Sequence, residues 1–241
     1  MRAVDAKGNR AGGRGGRSGG VPGEVWLREP RARRDALTLD RIVATAVDLL
    51  DADGVAGLTM RRLADRLAVA PPTLYWHVKT KDDVLDLAVD AIFAEVPVPS
   101  GPWRDAVREL VLAWRATMLR HPWSPPLLGR PALGPNVLER TEFLQGALAS
   151  AGFTGAHLAA ATHGLANFVI GSALTQSTWH SPEALGTARA HLRARADDYP
   201  TLVANDHLAD QDWDALFERG LDHFLTGLAQ GIGSGPVSSP P

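Results

Sequence analysis

The chain has 241 residues, 45% hydrophobic and 22% charged, with 25 basic against 27 acidic side chains and a formal net charge of −2; that is enough chain for a buried core in one or two domains, and the near-neutral charge argues against a protein that coats nucleic acid while leaving room for a local basic face. There is no cysteine, which excludes disulfides, thiolate zinc sites and cysteine nucleophiles. No unbroken apolar run reaches the length of a membrane span, and the Arg/Gly-rich N-terminus lacks the apolar segment of a secretory signal, so a cytoplasmic protein with no membrane partner is expected.

Residues 1–37 form the first segment. They carry nine basic and four acidic side chains, and Met1–Gly23 contains eight glycines and almost no large apolar residues. Such a stretch cannot offset its own ordering entropy and is predicted to be a disordered basic arm, solvated or touching a polyanion such as DNA. From Thr38 onward the pattern is one helix after another, with no strand alternation. Thr38 is a good N-cap, and Leu39, Ile42, Val43, Ala46, Leu49 and Leu50 follow at helical spacing up to Gly54. A short helix at Met60–Leu67 turns Met60, Leu63, Ala64 and Leu67 to a core. Pro71-Pro72 opens a third helix, where first-turn amides need no intrahelical acceptor. A fourth runs from Lys81 to about Glu95, with Asp82 and Asp83 at the positive end of its dipole.

Val96–Pro102 is the clearest break and the expected boundary between domains at 38–96 and 102–230. Helices are predicted at Trp103–Arg120, Asn136–Ala151, Gly155–Trp179, Pro182–Ala196 and Asp212–Gln230, with a proline-broken stretch from His121 to Pro135 and a flexible tail at 231–241. In the last helix Trp213, Leu216, Phe217, Leu221, Phe224, Leu225 and Leu228 form one wide apolar stripe. The expected fold is all-α.

The informative segment is GLTMRRLADRLAVAPPTLYWHVKTK, Gly57–Lys81. Two short helices joined by about three residues have helix-turn-helix geometry, although any bundle contains tight helix corners. The third helix is about two turns long, yet it carries Thr73, Tyr75, Trp76 and His77, with Lys79 and Lys81 just beyond. A helix packed in a core does not spread large aromatics over several faces. A helix in a DNA major groove does, with hydroxyls and lysines on phosphates and aromatics on sugars and thymine methyls. Arg61 and Arg62 start the preceding helix and reach the same groove. The domain itself is acidic overall, with most of its acids on the first and fourth helices.

Residues 38–95 closely resemble the DNA-binding domain of the tetracycline-repressor (TetR) family, and Thr73-Leu74-Tyr75-Trp76-His77-Val78-Lys79 looks like the tetracycline repressors themselves. The resemblance implies a three-helix DNA-binding domain followed by a helical ligand-binding and dimerisation domain. It places Arg61, Pro72 and Thr73 at base edges or adjacent phosphates, and Tyr75, Trp76, His77 and Lys81 on the backbone and thymine methyls. Thr59 is then a cap beside a phosphate, and Arg62 a neighbouring contact. Pro71 stands where those repressors carry a polar base-reading side chain, which implies a different operator.

Residues 102–230 are similar more loosely, through Leu128-Gly129-Arg130-Pro131 and Asn167-Phe168-Val169-Ile170-Gly171. The resemblance implies a twofold dimer through the helices at 155–179 and 212–230, the first rich in Ala and Gly, reading a palindromic operator in double-stranded DNA. The carboxylate and histidines that hold magnesium–tetracycline are missing, Asn167 and Thr175 standing at the helix positions, so no metal, cofactor or tetracycline chelate is expected. The candidate ligand lining is Trp114, Leu127, Leu128, Arg130, Leu138, Glu142, Phe143, Asn167, Phe168, Gln176 and Trp179, suited to an aromatic or polycyclic effector. Scattered histidines without a nucleophile or metal motif argue against an enzyme. The leading expectation is a ligand-released dimeric repressor; a helical protein-binding adaptor and an activator on the same fold are the alternatives.

Overall fold

The computed structural model describes residues 37–129, 133–178, 182–209 and 212–233. Its helices are α1 (Leu39–Gly57), α2 (Met60–Arg66), α3 (Pro71–Tyr75), α4 (Lys81–Phe93), α5 (Trp103–Arg120), α6 (Pro135–Ser150), α7 (Gly155–Thr178), α8 (Pro182–Arg193), α9 (Pro200–Ala204) and α10 (Trp213–Gly233), with a 3₁₀ turn at Pro125–Leu127. No strand occurs among the described residues.

Local chemistry accounts for the ends of the first four helices. Thr38 caps α1 by accepting from the Arg41 amide, and Thr59 caps α2 by accepting from Arg62. Thr80 and Asp83 form a reciprocal capping box on α4. Gly54 interrupts α1 with φ 65°, and one further helical turn carries the chain to Gly57, so the expected stop at Gly54 is a kink instead. The turn between α2 and α3 passes through Ala68 at φ 56°, a left-handed conformation that favours glycine. Ile42, Ala46, Leu49 and Leu50 of α1 pack with Leu63, Ala64, Leu67, Leu74 and the inner face of α4. Leu39, the first residue of the apolar repeat, is 41% exposed.

The C-terminal helices wrap α5. Its Val107, Leu110, Val111, Trp114 and Met118 are buried, alongside Leu144 and Leu148 of α6 and Leu165, Val169 and Ala173 of α7. Helix α7 is long and apolar enough to cross a membrane by length and composition alone, a property that counting unbroken apolar runs does not register. Here it packs on α5, α6 and α10. Its glycines are contact points. A Cβ on Gly164 would lie 2.7 Å from Phe224 Cζ, and one on Gly220 of α10 would lie 2.9 Å from Phe168 Cζ. Each helix thus seats its phenylalanine on the other's glycine. Part of the small-residue face expected to meet a second subunit is therefore used within the chain. Along the apolar stripe of α10, Phe217, Leu221 and Leu225 are buried, Trp213, Phe224 and Leu228 are half-buried, and Leu216 is 46% exposed.

Three further differences from the sequence reading are local. Helix α9, begun by Pro200, stands where an irregular connection is expected. Helix α10 continues to Gly233, past the expected start of the tail. Val96, in the expected linker, is fully buried, and Thr38 onward packs as one unit. Residues 1–36 of the expected arm, Arg130, Trp179 and the tail from 234 lie outside the described residues.

Candidate functional site

Helix α3 is built as a display. It starts at Pro71-Pro72, whose missing amide protons cost nothing in a first turn. Only Leu74 and the following Val78 face inward, and both are buried. Pro71, Pro72, Thr73, Tyr75, Trp76 and His77 all point outward. Tyr75 is 44% and Trp76 83% exposed. An indole left in water contributes nothing to folding, so a cluster of exposed aromatics beside proline and threonine marks a contact surface. Arg61, on the first turn of α2, is exposed and has no hydrogen-bond partner among the described residues.

The neighbouring cations are engaged differently. Arg62 donates to Asp53 Oδ2 at 2.6 Å and to the Gly57 carbonyl at 2.7 Å. Lys81 Nζ donates to the Val55 carbonyl at 2.6 Å. Both brace the turn that follows the Gly54 kink, leaving only their remaining N–H groups for any other partner. Lys79 reaches back to the Tyr75 carbonyl at 3.2 Å. At the start of α4 the Asp83 carboxyl is held below its ordinary range, first by the Thr80 hydroxyl and then by the Lys79 amide.

The expected ligand lining divides. Trp114 is buried edge-on against Phe93 of α4, at 5.5 Å between centroids, with its indole N–H unpartnered. Phe168 stacks on Phe217 of α10 at 4.9 Å, and Gln176 accepts from Arg115. Asn167 is exposed, Leu127, Leu128 and Phe143 are half-buried, and Leu138 and Glu142 share a shallow depression on the outer side of α6. The described members of this set thus range from the buried interior to the surface of the C-terminal helices. A groove of about 450 Å³ opens between α7, α9 and α10, bounded by Thr175, Leu202, His207, Trp213 and Leu216. Arg115 was not picked out by sequence. It is buried, pairs with Asp214 at 2.7 Å and lies 4.6 Å over the Phe217 ring.

Two polar joints connect the first four helices to the rest, and neither was singled out by sequence. In one, buried Asp90 of α4 accepts from the Asn136 and Val137 amides at 2.9 and 3.0 Å, capping α6. Arg140 of α6 returns the contact, donating to the Val96 carbonyl at 2.9 and 2.8 Å and to Ala94 at 3.3 Å. In the other, Asp51 Oδ1 of α1 accepts from Trp123 Nε1 at 2.6 Å and from His121 Nδ1 at 2.7 Å. His121 Nε2 lies 3.3 Å from Glu95, which also receives Arg120 at 2.6 Å. Burial pushes the Glu95 carboxyl up, but Arg120 and His121 together outweigh it and hold it below its ordinary value. The available signal for these joints is an ionisable residue on the apolar face of a helix, as at Asp90 and Arg140.

Comparison with known proteins places both halves. Residues 42–88 match the model described as bacterial regulatory proteins, tetR family, and residues 97–232 match the tetracyclin repressor-like C-terminal domain. An HTH-type transcriptional regulator of Saccharopolyspora erythraea is 48% identical over 225 residues, 90% of this chain and 95% of that protein. The tetracycline repressor protein class A of Escherichia coli is 31% identical over 78% of this chain and 89% of its own. Among solved structures, the TetR family protein ActR of Streptomyces coelicolor in complex with actinorhodin superimposes with a TM-score of 0.74 at 34% identity, covering 84% of this chain and all of ActR.

Proposed function

Because the chain belongs to the TetR family of transcriptional regulators, non-enzymatic proteins that bind DNA, we propose that it is a dimeric repressor that binds a palindromic operator and is released by a small, aromatic or polycyclic molecule. The observation that carries this reading is the display of Thr73, Tyr75, Trp76 and His77 on a helix whose Leu74 is fully buried. The exposed Arg61 adds a side chain suited to a guanine edge or a phosphate, with Thr59, Arg62, Pro72 and Lys81 completing the surface. Residues 38–96 then act as the DNA-binding domain and 102–230 as the ligand and dimer domain.

A single helix-turn-helix module binds DNA weakly, and two in a twofold dimer read half-sites about one turn, roughly 34 Å, apart. Exposed small residues on α7, including Ala159, Ala160 and Gly171, suit close approach of a second copy. ActR has been solved with actinorhodin and with (S)-DNPA, which supports a small-molecule effector here. Trp114, Leu127, Leu128, Phe143 and Phe168 provide the apolar contribution, and Trp114 leaves an unpartnered N–H for a ligand oxygen. An effector releases DNA only by binding better to the arrangement that does not fit the operator. The reciprocal caps of Asp90 and Arg140 support α4 as the lever between the two functions, and a DNA-bound regulator works where the chromosome is.

The test is selection of bound sequences from random duplex DNA by the purified protein. Enrichment of one palindrome is the expected result. No enrichment even at low salt overturns the reading and favours a protein-binding adaptor.

A further inference from the structure

The segment just before and after the Gly54 kink is tied down at three alternate residues. Asp51 binds His121 and Trp123 beyond the end of α5. Asp53 binds Arg62 of α2, and the Val55 carbonyl binds Lys81 at the start of α4. α2 and α4 are the elements on either side of α3 in the chain. The first tie leads to the C-terminal helices, and the other two lead to the supports of the recognition helix.

We propose that Asp51 is a positioning residue: with His121 and Trp123 it forms a second joint, alongside Asp90–Arg140, that sets the angle of the DNA-binding helices on the C-terminal helices. The proposal rests on the repressor reading for its consequence in DNA binding, but the joint itself does not. His121 and Trp123 are 8% and 5% exposed and stand edge to face at 6.0 Å. Packing holds the donors, and the carboxylate is the part that α1 brings to them. An ionised carboxylate accepts both N–H groups at once, and a charge-assisted pair is stronger than a neutral one. Glu95 and Arg120 brace His121 from the other side. A movement of α5's C-terminal end therefore pulls on α1 at Asp51. It reaches α2 through Asp53–Arg62 and the start of α4 through Val55–Lys81. Because α1 packs on α4, a hinge at Asp90–Arg140 alone would let the two turn together; a second tie at Asp51 makes the angle definite.

The absence of cysteine makes the angle measurable in the full chain. Spin labels at D65C and E109C, both exposed sites on α2 and α5, report the distance between the two groups of helices once labelled protein is diluted with unlabelled. Asp51→Asn removes the charge, and Trp123→Phe keeps the ring while removing its N–H. Both are expected to broaden or shift the distance distribution. Both are expected to weaken binding to the selected palindrome about tenfold, the equivalent of one charge-assisted hydrogen bond. The salt dependence of binding is expected to stay unchanged, because no phosphate contact is lost. Distributions that superimpose on the parent's in both variants overturn the joint, even if melting temperature falls. If the parent itself enriches no DNA sequence, the repressor reading fails, and the label distances still decide the joint.

Discussion

Helix α3 and the α7–α10 pair use aromatic residues in opposite ways. In α3, Tyr75 and Trp76 stand in solvent and a single leucine anchors the helix. In the pair, Phe168 stacks on Phe217 and meets Phe224 at a tilt, and Phe168 and Phe224 each settle onto a glycine of the facing helix. The first arrangement adds no stability and has meaning only against a partner. The second is packing between the two helices, with Phe217 buried and Phe168 and Phe224 half-buried. Aromatic content alone therefore identifies neither a binding surface nor a core; exposure on a well-anchored helix does.

That contrast breaks most visibly at adjacent positions of one helix. Leu74→Ala is expected to cost about 3 kcal/mol, a typical loss for a fully buried leucine, measured by denaturant unfolding. Trp76→Ala should change stability by less than about 0.5 kcal/mol, yet weaken binding to the selected DNA about tenfold in a mobility-shift titration. Equal losses of stability would remove the distinction between anchor and display.

The joint between the two regions comes next in size. Asp90→Ala strips the acceptor from two amides at the start of α6 and is expected to cost about 2 kcal/mol. Arg140→Met should destabilise less than additively on top of it if the two caps act as one unit, a coupling that a double-mutant cycle measures. In the turn before α3, Ala68→Gly relieves a left-handed alanine but adds freedom to the unfolded chain. A net gain of about 0.5 kcal/mol is expected, read as a higher denaturation midpoint.

The smallest effect is a pH dependence. Glu95 titrates below its ordinary value in the folded chain, so the folded state binds its proton less readily than the unfolded state does. Its contribution is present above the ordinary glutamate range, about pH 4.3, and is lost as pH falls through the lower folded value. Glu95→Gln should flatten the acid limb of the stability–pH curve. The effect is modest because the carboxylate is 43% exposed and screened by solvent.

The helices themselves were readable because their signals are local. A threonine N-cap, a pair of prolines in a first turn and a 3.6-residue apolar repeat act within a few residues of each other, and they located α2 through α7 to within a residue or two and the start of α1, whose end lies three residues past Gly54. The helix-turn-helix was readable for the same reason, since Leu74 and Val78 alternate with exposed polar and aromatic residues inside one short string. Short α9 was missed because five residues carry too little periodicity. The intrachain partners of Arg62 and Lys81 were not readable, because a cation's partner depends on what the fold brings near. Asp53 lies 9 residues from Arg62, and Val55 lies 26 from Lys81.

Residue order alone thus determined the helical class, the recognition helix and the membership that its motif announces, all consequences of neighbours along the chain. The tertiary structure decided that α7 and α10 lock through phenylalanine on glycine. It also decided that Asp51, Asp90, His121 and Arg140 tie the two regions together. Those contacts join residues 44 to 72 positions apart. Local periodicity carries no information on such pairs, because their energy exists only once the helices have docked.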